Sequence, residues 1–337
     1  MRIAVDAMGG DYGPRVTVEG ALSAARDFGL EVILVGARDL IRQEVRRMGR
    51  PEAGVTIVDA PEAIGMSEGL LSFRRKKRSS IRIGAQLVKE GRADALVSTG
   101  NTAAVVTISQ KTLGALRGVD RPALALLVPT QKGSTLLIDV GANANCRPHH
   151  LEQFAVMGRI FMANVMGLPE PRIGLMSIGE EKGKGNELTK AAFERLEAAP
   201  LNFIGNIEGK DIYSGKADVI VSDGFTGNVA LKVSEGVVEN MLIMARGEIT
   251  RNLLAKVGFF LMRRHLRRLF RRLDYAQYGG AHLLGVNGVC IIGHGRSNPT
   301  AVRNAVRLAR EYVRHGVTEK IQKEIGRLGG VREGAKA

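Results

Sequence analysis

The chain contains no tryptophan, and aromatic residues are only 4% of its 337 positions. That argues against a nucleic-acid surface built from bases stacked on aromatic platforms. Cysteine is equally scarce. Cys146 and Cys290 alone cannot form a disulfide framework, which fits a reducing compartment. No apolar run approaches the roughly 20 residues of a membrane-spanning helix. Met1 leads straight into RIAVDAMGG, an apolar strand rather than a secretory signal, so the expected location is cytoplasmic. Gly9-Gly10 begins like a nucleotide loop, but no GxGxxG follows, and a dinucleotide fingerprint is not supported. Cys146, His149 and His150 have no second cysteine pair and no HExxH beside them. They are read as a capped loop, with no metal and no cofactor expected. Acidic residues are outnumbered: 49 Lys and Arg against 34 Asp and Glu leave a net charge of +15. The partner is therefore expected to be acidic, whether nucleic acid, anionic lipid or an acidic protein.

Hydrophobic content of 45% and charged content of 25% describe an ordinary globular chain, long enough for a substantial core. Its organising feature is a phrase that occurs twice, GRADALVSTGNT at 91–102 and GKADVIVSDGFT at 215–226. Each copy reads as a buried strand, a tight polar turn and a helix start. Unpaired backbone N–H groups beside small hydroxyls at such a junction suit an anion. Two related strand ends facing one cleft are expected. Around them the chain alternates strand and helix: strands at 3–7, 32–36, 55–58, 173–178 and 289–292, helices at 16–28, 39–48, 151–166 and 229–244. This is the βαβ rhythm of a mostly parallel sheet. The runs 124–128 and 136–140 read as a hairpin or neighbouring strands, and one long helix is expected from Pro299 to Ile325. The organisation read from this is one α/β catalytic domain over 1–327, with a flexible tail at 328–337.

Two basic stretches stand apart. Arg74, Arg75, Lys76, Lys77 and Arg78 form an unbroken cationic run, either a solvated face or a dock for an anion or acidic protein. Within a basic segment at about 250–275, arginines fall in pairs at 263–264, 267–268 and 271–272. At about 100° per residue they share about half of a helix circumference, opposite Met262, Leu266, Leu269, Phe270 and Leu273. That reads as an interfacial helix. The bland alternative is a helix packed on its own domain or on a second subunit.

VDAMGGD, VSTGNTAA, LLIDVGANANC, IGEEKGKGNELTK, FIGNIEGKDI, VIVSDGFTGNVALK and GGAHLLGVNGVCIIGHG occur in order along the chain. With these phrases it resembles the bacterial phosphate acyltransferases of phospholipid synthesis (acyl-ACP:phosphate acyltransferases) over nearly its whole length. His282, where the family pattern has proline, and Arg296, where a small residue is commoner, depart from it. The resemblance implies a three-layer α/β/α fold with a mostly parallel sheet, similar to isocitrate/isopropylmalate-dehydrogenase-like and phosphotransacetylase folds. It implies a homodimer that transfers a fatty acyl group from acyl carrier protein to inorganic phosphate. It also implies a cytoplasmic enzyme held peripherally at the membrane, and the interfacial helix reading assigns Arg263, Leu266, Arg267, Leu269, Phe270 and Leu273 to contact with an anionic membrane surface. The next partner implied is a membrane glycerol-3-phosphate acyltransferase that uses acyl phosphate.

Attack of phosphate on a thioester needs no protein nucleophile and no metal. It needs a held, partly neutralised phosphate and stabilisation of the thioester oxygen as it becomes an oxyanion. Lys184 is the cation of choice, because Gly183 and Gly185 let its loop approach a ligand closely. Asn228 is the neutral donor of choice, with Asn101, Asn143 and Asn186 able to share that work. Ser98, Gly100, Asn101, Thr102, Ser222, Asp223, Gly224 and Thr226 are the expected substrate-binding residues of the two junctions. The second copy is the better candidate for the reacting centre, while the first holds phosphate or shapes the opposite wall. Arg74 to Arg78 are the expected docking site for the acyl carrier. Rival readings are a short-chain phosphotransacetylase acting on coenzyme A thioesters, a nucleic-acid-binding protein and a non-catalytic adaptor. No recognition element supports the nucleic-acid reading, so no nucleic-acid partner is expected.

Overall fold

The computed structural model describes residues 1–49, 55–251, 253–273, 277 and 279–334; the side chains of residues 70, 250, 253–254, 266–273 and 328–334 also lie outside that description. The strands are β1 (Arg2–Asp6), β2 (Glu31–Gly36), β3 (Val55–Asp59), β4 (Ala95–Ser98), β5 (Ala123–Thr130), β6 (Gly133–Ile138), β7 (Ile173–Met176), β8 (Phe203–Ile207), β9 (Val219–Val221), β10 (Ala281–Leu284) and β11 (Cys290–Ile292). They form one sheet in the order β3-β2-β1-β4-β11-β10-β5-β6-β9-β7-β8. The helices are α1 (Arg15–Phe28), α2 (Arg38–Arg47), α3 (Leu70–Arg75), α4 (Ser80–Lys89), α5 (Thr102–Leu113), α6 (Pro148–Val165), α7 (Glu187–Ala198), α8 (Gly224–Arg251), α9 (Leu253–Leu273), α10 (Pro299–Arg314) and α11 (Val317–Gly334). The result is the expected α/β/α fold with a mostly parallel sheet.

Helices cover both faces, so strands such as β4 are apolar and buried on both sides instead of alternating. In β4, Ala95 and Val97 join the core on one face and Leu96 the core on the other, all at 0% exposure. Fully burying a side chain such as Leu96 is worth roughly 1.5–3 kcal/mol.

The sheet changes direction at its centre. β5 and β6 form an antiparallel hairpin, and β10 is antiparallel to both β5 and β11, so β4 and β9 run in opposite senses. One continuous row of paired residues nevertheless crosses the sheet: Val97, Ile291, His282, Ala125, Ile138 and Val221. The two copies of the repeated phrase therefore end at the same level, approaching it from opposite directions. Four strands intervene, which at the usual interstrand spacing puts the two turns roughly 24 Å apart along the row.

Several elements differ from the sequence expectation. β10 was not expected, because GGAHLLG reads as a glycine-rich loop; its four buried residues pair with nearby β11 on one side and with sequence-distant β5 on the other. The expected terminal helix is two helices, broken at Gly316 with φ 58°, a left-handed residue that ends α10. α11 continues to Gly334 into the stretch expected as a tail, while residues 335–337 lie outside the described residues. α8 starts at Gly224 rather than Val229 and runs on to Arg251, because the turn of the second copy is itself the first turn of the helix.

Candidate active site

Each copy of the phrase caps its helix differently. In the first, the Asn101 side-chain oxygen accepts from Ala104 N–H at 3.0 Å. The Asn101 amide donates to the carbonyl oxygens of Met66 (2.7 Å) and Glu68 (3.3 Å). Asn101 is thus committed on both ends to α5 and the 66–68 loop, which leaves it no donor for the thioester oxygen. Ser98 donates to Asp6 Oδ2 at 2.6 Å and accepts from Gly100 N–H at 3.1 Å, wholly inside the protein. Burial pushes the Asp6 carboxyl up, against the pull of Ser80, Ser98 and the Met8 and Gly9 amides. The backbone N–H groups of Thr102 and Ala103 have no partner among the described residues at the start of α5.

In the second copy a carboxylate does the capping. Asp223 Oδ1 accepts from the N–H groups of Phe225 (3.0 Å) and Thr226 (2.9 Å), and Oδ2 accepts from the Thr226 hydroxyl at 2.7 Å. Gly224 N–H donates to Asn143 O, and Gly227 N–H to Asp223 O. The donors expected for an anion here are already used, and the cap carries negative charge. A Cβ on Gly227 would run into the Asp139 carbonyl oxygen, so α8 can seat against the end of β6 only with glycine there.

That seat is built by Asp139. Its carboxylate accepts from Leu124, Gly141, Ala142 and Asn143 N–H and from the Asn143 amide, at 2.8–3.1 Å. Burial pushes its pKa up, and these donors pull it back. The second amide hydrogen of Asn143 goes to Pro122 O at 2.7 Å, so buried Asn143 shapes the loop and has no donor left for a ligand.

An open cleft of about 360 Å³ lies between this loop (Ala144, Asn145, Cys146), the start of α7 (Asn186, Leu188) and the start of α8 (Asp223, Phe225, Thr226). Asn186 caps α7 through its oxygen, accepting from Thr189 N–H at 2.9 Å, and its amide group stays open. Lys184, two residues earlier, is exposed, and its ammonium has no ion pair or hydrogen bond among the described residues. Its neighbours are paired, Lys182 with Glu197 and Lys216 with Glu180. Asn228 is exposed just above Gly141, with its amide likewise uncommitted among the described residues. Of the residues nominated from sequence, Asn186, Asp223 and Thr226 line the cleft; Lys184 and Asn228 are not part of its lining and present their uncommitted polar groups two residues before Asn186 and two after Thr226. Ser98, Asn101, Asn143, Ser222 and Asp223 are engaged in holding turns, Ser222 by donating to Asp139 O at 3.1 Å. The signal that separates them was present in the sequence: an Asx residue stands one position before Gly224 in one copy and one after Gly100 in the other.

Cys146 lines the cleft, but burial first and then Asp139 push its thiol up to about 11, which keeps it protonated at neutral pH. Cys290 is fully buried and pushed up to about 12. Asp120, His149 and His150 cluster beside the cleft loop, with both Nε2 atoms 2.7 Å from Asp120 Oδ2. His150 Nδ1 accepts from Arg147 N–H, so its proton sits on Nε2 and is donated to Asp120, which leaves that nitrogen no lone pair for a cation. The two imidazoles, His149 first, hold Asp120 down to about 2. The cluster clasps the start of α6.

The basic run is divided. Lys76 donates to Glu68 Oε1 and Ala63 O at 2.6 Å, and Arg78 pairs with Asp59 at 3.5 Å. Arg74, Arg75 and Lys77 are exposed and unpaired among the described residues. α9 packs mainly on α8, and together they expose Val233, Val237, Met241, Ile243, Met244, Val257, Phe260 and Leu261. Arg263 stacks over the Phe260 ring at 4.1 Å. The side chains of Leu266, Arg267, Leu269, Phe270 and Leu273 lie outside the described residues. No described helix is long and apolar enough to cross a membrane.

A family model described as "Fatty acid synthesis protein" matches residues 1–320. The chain is 49% identical over 328 residues to the phosphate acyltransferase of Pelotomaculum thermopropionicum, covering 96% of this chain and 95% of the relative. To the phosphate acyltransferase of Desulfitobacterium hafniense it is 48% identical over 335 residues, with 99% and 100% covered. A phosphotransacetylase structure from Streptococcus pyogenes superposes with TM-score 0.65 at 18% identity, over 93% of this chain and 94% of that one. A 4-hydroxythreonine-4-phosphate dehydrogenase from Klebsiella pneumoniae gives 0.53 at 16%, over 93% and 99%. These two share the fold. By the sequence matches, the chain belongs to the phosphate acyltransferase family and is an acyltransferase.

Proposed function

Proceeding from that membership, we propose that the protein transfers a fatty acyl group from the thioester of acyl carrier protein to inorganic phosphate, forming acyl phosphate for phospholipid synthesis. The observation that carries this reading is a cleft whose cysteine is held as a thiol and whose lining residues Asn186 and Thr226 are each two positions from an exposed polar residue, Lys184 and Asn228. Such a site favours direct attack over a covalent acyl-enzyme. A phosphate oxygen forms the new C–O bond at the thioester carbon, and the carbonyl electrons move onto oxygen. When the oxyanion collapses, the C–S bond breaks and the thiolate leaves on the carrier. Lys184 neutralises the phosphate and Asn228 donates to the oxyanion. Orthophosphate is already anionic at neutral pH, so no strong general base is required.

Arg74, Arg75 and Lys77 are the dock for the acidic carrier, with Lys76 and Arg78 holding the turn beneath it. The apolar and basic surfaces of α8 and α9 serve the homodimer and the anionic membrane surface. There a cytoplasmic, peripherally bound enzyme passes acyl phosphate to a membrane glycerol-3-phosphate acyltransferase. Incubating the protein with phosphate and either acyl carrier protein or coenzyme A thioester tests the donor: acyl phosphate should form from the carrier thioester. Product only from coenzyme A, or none from either, would contradict the proposal. Flotation with anionic vesicles should be lost in Phe260→Glu/Leu261→Glu and weaken with salt; undiminished flotation would contradict the membrane role.

A further inference from the structure

We infer that Asn206 is a positioning residue, which sets the loop carrying Lys184; this rests on the reading of Lys184 given above. Asn206 lies on β8, only 3% exposed, and its amide donates to the carbonyl oxygen of Glu181 at 2.9 Å. The same oxygen accepts from the backbone N–H of Lys184 at 3.0 Å. One buried side chain thus holds the turn from Glu181 to Lys184 at its closing hydrogen bond. A second tie comes from Ser177, whose hydroxyl donates to Lys184 O at 3.3 Å.

The strand is shaped to aim this side chain. The β7–β8 register shifts between Ile173 and Leu175, with Gly205 at φ 92°, so Asn206 and not Gly205 faces Leu175. A bulge of this kind is a device for redirecting a side chain beside a site, since one extra residue flips the alternation. The Asn206 side-chain Oδ1, meanwhile, is buried with no hydrogen-bond partner among the described residues. An apolar residue would satisfy the packing there with no orphaned oxygen, so holding the loop is what the asparagine adds. The loop needs an external hold, because Gly183 and Gly185 deprive it of internal stiffness.

Asn206→Asp keeps the shape and removes the donor to Glu181; Ser177→Ala removes the second tie at a less buried position. Hydrogen exchange over 179–186 and steady-state kinetics are measured for both. In Asn206→Asp, exchange in this loop should rise while the rest of the protein is unchanged. The KM for inorganic phosphate should rise roughly tenfold, with the KM for the acyl donor unaffected, and Ser177→Ala should show the same split more weakly. Unchanged loop exchange in both variants would overturn the clamp. Loosened exchange with an unaltered phosphate KM would overturn its part in the reaction. Lys184→Ala in the same assay assigns that second failure: a normal phosphate KM there means that the Lys184 reading has failed and the clamp itself stands.

Discussion

The two copies of the repeated phrase share seven residues but differ in how they start a helix. In the first, neutral Asn101 caps α5 and spends its amide on the 66–68 loop. In the second, Asp223 caps α8 and takes the backbone donors that would otherwise face an anion. α8 begins two positions earlier in the phrase than α5, and Asn228 near its start stands exposed beside Gly141. The same strand and turn thus serve two ends: one copy ties loops together, and the other lifts a free amide over Gly141. A helix start alone does not make an anion site; what matters is who already holds its N–H groups.

The largest effect expected on the side of the second copy is at Lys184. Lys184→Ala should lower acyl-phosphate formation by roughly 10²-fold or more with an unchanged melting temperature. Normal turnover would remove Lys184 as the cation that neutralises the phosphate. On the first side the effect should be on stability. Ser98→Ala strips the buried Asp6 carboxylate of a donor, and denaturant titration should show a loss of about 1–3 kcal/mol. A fully stable variant with poor catalysis would reverse the roles given to the two copies.

The row joining the copies contains His282, packed between Phe161 and Tyr312 with neither ring nitrogen bonded among the described residues. Burial pushes its pKa down to about 3, against 6.5 for a free imidazole. Between those values only the unfolded chain takes up the proton, so stability falls as pH falls through that window. Compared with His282→Leu, the wild type should lose about 2 kcal/mol on going from pH 7 to pH 5. A constant difference between the two proteins would mean that His282 has a partner or access to solvent. The smallest effect is at the second cap: Asp223→Ala should cost about 1 kcal/mol. A much larger cost would mean that Asp223 holds more than the helix start.

Much of the fold was legible in the sequence because most strands and helices here are local. Apolar runs ending in Gly, Ser and Asp gave the βαβ units, and the repeat itself was visible. The reversal of direction was not, since it depends on β10 inserting beside β5, an arrangement set by residues about 160 positions apart. The break at Gly316 was missed because periodic apolar residues continue on both sides of it. Lys184 and Asn228 were legible as polar residues in glycine-rich or helix-starting contexts. The commitment of Asn101 and Asn143 to structure was not, because their acceptors, Met66 O and Pro122 O, lie on distant loops.

The division of labour between the copies is tested most directly by comparing Asn228→Ala with Asn101→Ala, measuring kcat for acyl-phosphate formation and melting temperature on both. Asn228→Ala should lose roughly 10²-fold in kcat while melting like the wild type. Asn101→Ala should melt several degrees lower and keep kcat within a few-fold. The opposite pattern, with Asn101→Ala inactive but stable and Asn228→Ala active, would contradict the account.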